Sequence, residues 1–93
     1  MLSDTECQLI LEKLKPLQPS EVALFGSFAR GTQTKSSDID ILIDSDSGFN
    51  LLDLIGIEQE LAELLGRKVD VVTRRSLSPH FKPFIESSLI PLL

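Results

Sequence analysis

The chain has 93 residues, 42% of them hydrophobic and 25% charged, with a net charge of −5. That length fits one domain, residues 1–93, with a modest core, and the acidic balance leaves no broad basic footprint for a nucleic-acid backbone. Five Phe with no Trp and no Tyr disfavour a base-stacking platform, so no direct nucleic-acid binding is expected.

In chain order, the N-terminus carries Ser3, Asp4 and Glu6 and lacks a cationic, apolar signal pattern. Ser3 and Glu6 read as a capping box. The helix it opens has an apolar stripe at Leu9, Ile10, Leu14 and Leu17, and Pro16 and Pro19 stop it. Cys7 is the only cysteine, which rules out an intramolecular disulfide and a thiolate cluster; it reads as core. "EVALF" (21–25) is a short strand ending at Gly26. Residues 27–31 form a turn leading into a short helical piece, and "TQTKSS" (32–37) is polar loop. "DIDILID" (38–44) is an Ile-rich strand.

"SDSG" (45–48) is a loop. A helix follows from about residue 50 to residue 65, with Gly66 as its C-cap. "KVDVVT" (68–73) is a third strand. Ser78 and Pro79 look like the N-cap and first residue of a last helix, which Pro83 should shorten or delay. The tail "LIPLL" reads as an edge strand, where Pro91 is tolerated. No apolar run approaches a membrane span, so the expectation is a reduced, cytoplasmic chain with no membrane partner. The order of elements predicts an α+β fold: a small mixed sheet flanked by helices.

Strand side chains alternate, so Asp38 and Asp40 share one face while Ile39 and Ile41 share the other. Two neighbouring carboxylates repel unless something positive sits between them. Mg²⁺, which takes one or two carboxylates plus substrate phosphates, answers that need. Asp70, inside "VDVV", adds a third carboxylate if its strand lies beside 38–44. Three carboxylates could hold two ions about 4 Å apart, the geometry of an in-line phosphoryl displacement, with Asp70 placed to accept a proton. Gly26 lets backbone approach a ligand, the following N–H groups favour an anion, and Ser27 adds a hydroxyl donor.

"GSFARG" followed by "SDIDILID", with a later "VDVV", resembles the signature of the polymerase-β-like nucleotidyltransferases. Over residues 3–93 the chain is similar to the minimal nucleotidyltransferase family. The resemblance implies that fold, with Asp38, Asp40 and Asp70 as metal ligands and catalytic residues, and with Gly26 and Ser27 holding the triphosphate of ATP. It implies that Arg30 either braces the motif or touches phosphate. It implies Mg²⁺, and transfer of AMP to a tyrosine of a HEPN-domain toxin partner, with this chain as antitoxin in a hetero-oligomer. "HFKPFI" departs from the family's usual charged, proline-free helix.

Blander readings stand beside these. Asp70 could pair with Arg67 or Lys68. Lys35 could reach phosphate or stay solvated. Arg74 and Arg75 could contact phosphate or a partner, or form a solvated turn. Asp44 and Asp46 read as solvated loop, Glu58, Glu60 and Glu63 as a solvated helix face, and His80 has no assigned role. Two other functions remain: a catalytically idle antitoxin that neutralises its partner by occlusion, and a small-molecule nucleotidyltransferase, which would need a further helical domain.

Overall fold

The computed structural model describes residues 2–93. The first helix, α1 (Asp4–Leu14), starts where expected. Ser3 Oγ accepts from the Glu6 N–H at 3.1 Å, and Glu6 Oε1 accepts from the Ser3 N–H at 3.0 Å. Two N–H groups that an unpaired helix end would orphan are thereby satisfied. Ile10 and Leu14, one turn apart, are fully buried. Pro16 does not end the helical path at once: a 3₁₀ turn, Lys15–Leu17, carries it to Gln18, which adopts φ 50°.

Strand β1 (Glu21–Phe25) runs directly into the short helix α2 (Gly26–Arg30), and the chain turns at Gly26. Strand β2 is Ile39–Asp44. Its start one residue late leaves Asp38 just outside the strand. Helix α3 (Leu51–Leu65) is capped by Asn50, whose Oδ1 accepts from the Leu52 N–H at 2.8 Å, and ends at Gly66 with φ 67°. Strand β3 (Val69–Thr73) follows, then a 3₁₀ turn, Arg74–Ser76. The last helix, α4, spans Lys82–Glu86. Pro83 lies in its first turn, where the missing N–H costs nothing. It sets the start of the helix, so Ser78 and Pro79 do not. Strand β4 (Ile90–Pro91) closes the chain.

The four strands form one mixed sheet in the order β3-β2-β1-β4. Strand β1 is antiparallel to both β2 and β4, while β2 and β3 are parallel. A parallel pair needs a long crossover, and α3 supplies it. Val22, Leu24, Ile39, Ile41, Ile43, Val69 and Val71 point to one face and pack with Ile10, Leu14, Leu54 and Leu61 of α1 and α3. Alternation sends Asp40, Leu42 and Ala23 to the opposite face, where Leu42 and Ala23 are still buried. Pro91 sits on the edge strand. No helix among the described residues is long and apolar enough to cross a membrane.

Candidate active site

The C-terminal end of β1 and the N-terminal ends of β2 and β3 meet at one end of the sheet. Phe25 pairs with Asp40, and Asp40 pairs with Asp70. The parallel register therefore stands the second and third carboxylates side by side on one face. Asp38 lies two residues before Asp40, just outside the strand, and its charge is felt at Asp40. Lys68 Nζ approaches its Oδ2 at 3.9 Å. Asp70 pairs with neither Arg67 nor Lys68 among the described residues.

The carboxyl of Asp40 is pushed up from 3.8 to about 6. Burial is the main cause, followed by the charges of Asp70 and Asp38; Arg30 and Lys68 pull the other way. The site is thus short of positive charge even with two cations nearby. Its donors are all carboxylate oxygens, which suit a hard divalent ion that completes its shell with substrate phosphates. Among the described residues, no three Asp, Glu, His or Cys side chains stand close enough together to hold a metal ion, so a cation here would take one or two carboxylates and draw its other ligands from substrate.

Gly26 meets this group from the other side. Its φ is +71°, and a Cβ there would collide with Asp40 Oδ2. Only glycine allows both the backbone turn and the close approach. Ser27 follows, with its hydroxyl unengaged among the described residues. The structure thus brings Gly26, Ser27, Asp38, Asp40 and Asp70 to one place. Arg30 ends α2, exposed, with no hydrogen bond or ion pair among the described residues. It does not brace the motif by direct contact, but its charge is felt at Asp40.

Several other charged residues are absorbed by the fold. Arg74 donates from Nε and Nη2 to Glu21 at 2.6 and 2.7 Å, and from Nη1 to Glu86 at 2.7 Å. Arg75 Nη2 donates to the Ser45 carbonyl at 3.0 Å, and its Nε stands 3.7 Å from Asp44 Oδ1. Both arginines close the end of the sheet opposite the carboxylates, so neither is a phosphate contact. Asp44 is the last residue of β2 and partly buried, not solvated loop. Glu58 is not merely a solvated face residue: its Oε2 accepts from the Val71 N–H at 2.7 Å, beside Asp70. Sequence reasoning missed Glu58 and Arg67. Glu58 sits in the middle of α3 and Arg67 in the "GRKVD" turn after it, and no local pattern names the distant backbone groups that each one binds.

Comparisons with known proteins show the family and the fold. The chain matches the nucleotidyltransferase domain family over residues 7–92. It is 44% identical over 92 residues to a Methanocaldococcus jannaschii protein named, provisionally, a protein adenylyltransferase, covering 92% of this chain and 94% of that one. It is also 44% identical over 57 residues to the protein adenylyltransferase MntA of Thermococcus cleftensis, covering 61% of this chain and 58% of that protein. Among solved structures, a toxin–antitoxin complex with AMP-PNP superposes with a TM-score of 0.83 at 28% identity, over 99% of this chain and 73% of that one. A structure described provisionally as a minimal nucleotidyltransferase gives 0.80 at 32%, over 94% and 89%. With the family match spanning nearly its whole length, the chain belongs to the nucleotidyltransferase domain family.

Proposed function

We propose that residues 1–93 form one Mg²⁺-dependent catalytic domain that moves AMP from ATP onto a hydroxyl of a partner protein. The acceptor is a tyrosine of a HEPN-domain toxin, and the chain acts as its antitoxin in the cytoplasm. The observation that carries this reading is the contact of Gly26 with Asp40 beside the Asp40–Asp70 pair. It sets a phosphate cradle against a group of carboxylates. The relatives named protein adenylyltransferase and the similar toxin–antitoxin complex with AMP-PNP support the substrate and the partner.

In this reading the Ser27 hydroxyl and the first N–H groups of α2 donate to the terminal phosphates of ATP. Arg30, free of internal partners, reaches the same anion. Asp38, Asp40 and Asp70 would hold Mg²⁺, as one ion or two. When bound, it neutralises charge on the phosphates and on the departing pyrophosphate. The acceptor oxygen attacks the α-phosphorus, and the bond to the bridging oxygen of the β-phosphate breaks. The carboxylate of Asp70 takes the acceptor's proton. The partner's own surface completes the acceptor side of the site.

The test is the intact mass of the partner toxin co-expressed with the wild type or with Asp40→Asn. Added adenylyl mass with the wild type alone is expected. An unmodified partner held in a stable complex by both would sink the transferase reading in favour of occlusion.

A further inference from the structure

The loop between α2 and β2 joins the two halves of the site: Gly26 and Ser27 precede it, Asp38 and Asp40 follow it. Residues 32–37 are polar, and none is buried. The loop has a local turn of its own. Thr34 N–H donates to Ser37 Oγ at 2.8 Å, and Ser37 N–H donates back to the Thr34 carbonyl at 3.2 Å. That turn sets the shape of a few residues but not their orientation toward the sheet.

Orientation comes from one side chain. Arg67 Nη1 donates to the carbonyl oxygens of Thr34, Lys35 and Ser37 at 3.0, 3.1 and 3.1 Å. Its guanidinium lies over the ring of Phe28, 5.1 Å from the centroid. Phe28 is buried and directly follows Ser27. Arg67 therefore touches α2 on one side of the site and the loop into β2 on the other. The reason it can do so is local: Gly66 ends α3 in the left-handed region, which turns the chain toward β2. The next residue completes the attachment, with the Lys68 carbonyl accepting from the Ile39 N–H at 2.9 Å.

Charge-assisted bonds to several carbonyls are stronger than neutral ones. Here they are spent on a loop that contributes nothing to the core. We propose that Arg67 is a positioning residue: by clamping residues 34–37 to α2 and to the turn between α3 and β3, it sets where Asp38, just outside β2, stands against the Gly26–Ser27 cradle, while the β1–β2 register places Asp40. The role rests on the transferase reading above. It assigns Arg67 no contact with nucleotide or acceptor.

The test compares the full-length wild type with Arg67→Met and Arg67→Lys. Hydrogen exchange reads the clamp without reference to activity. In Arg67→Met the amides of Ser37 and Ile39 should exchange about tenfold faster or more, while those of β1 and α3 keep their wild-type rates. Transfer of AMP to the partner should show kcat reduced by about 10- to 100-fold, as misplacement of reacting groups does. KM for ATP should change by less than about threefold. Arg67→Lys should recover part of both losses, because the three carbonyls converge on one nitrogen and an ammonium carries three donors. Unchanged exchange in Arg67→Met would overturn the clamp. Faster exchange with unchanged kcat would overturn the positioning role. A lysine variant with no recovery would overturn the carbonyl contacts as its basis. A wild type that transfers no AMP would sink the transferase reading, while the exchange data would still decide the clamp.

Discussion

Asp40 and Gly26 show, residue by residue, what the site costs the fold. The folded-state carboxyl of Asp40 titrates near 6, above its ordinary 3.8. Between those two values the folded chain holds a proton that the unfolded chain has released. Stability therefore falls as pH rises through that window. With metal chelated, Asp40→Asn should stabilise the chain at pH 7.5 by about 1 kcal/mol, a figure discounted for a group only half shielded from water, and should change it little near pH 3.5. Thermal melts at both pH values check this, and equal shifts at both would refute it. Added Mg²⁺ should raise the wild-type melting temperature and leave that of Asp40→Asn nearly unchanged. Gly26→Ala should act in the opposite direction. It combines a positive φ with a collision at Asp40, and should cost about 1–3 kcal/mol. It should also abolish transfer; an active, fully stable alanine variant would contradict the close approach.

Single elements are held in place by charged residues that the local pattern did not interpret. Arg74, just after β3, ties Glu21 of β1 to Glu86 of α4. The hydrogen bond from Arg74 holds the Glu21 carboxyl below its ordinary 4.5. A carboxyl lowered on folding adds stability above its unfolded value and loses it as pH falls through the folded one. Arg74→Met should therefore cost about 1 kcal/mol at pH 7, given partly exposed partners. Urea titrations should show that difference shrinking below pH 4. A cost independent of pH would mean that Arg74 acts by packing alone. Helix boundaries were more legible. The Ser3–Glu6 box and the Gly66 stop depend on residues three or four apart, so their signals lie inside the elements they bound. The start of α4 was misplaced because two prolines competed for its first turn, and Pro83 took it.

For the whole molecule, stability rests on one core face. Ile10, Leu14, Val22, Ile39, Ile41, Ile43 and Leu61 are fully buried there, in a domain small enough to have little stability to spare. Leu61→Ala should cost about 2–5 kcal/mol, measured by urea denaturation; a loss under about 1 kcal/mol would mean that α3 repacks. The opposite face carries the carboxylates and stays open at one end. Whatever binds at the site must then reach it from that end, without disturbing the core.

The sequence by itself determined the order of the elements, the Ser3–Glu6 box and the Gly66 stop. Each of these follows from spacing along a strand or helix, and the physics that sets it acts within a few residues. The membership of Asp70 in the site was legible only as a condition on which strands are neighbours. The tertiary structure decided that condition, through the parallel register that pairs Asp40 with Asp70. It also decided the contact of Gly26 with Asp40, the hydrogen bond from Val71 to Glu58, and the grip of Arg67 on residues 34–37. These contacts join positions from 13 to 33 residues apart. Such pairs meet only after burial of the core has fixed the order of the strands, and no local pattern of charge or hydrophobicity specifies them in advance.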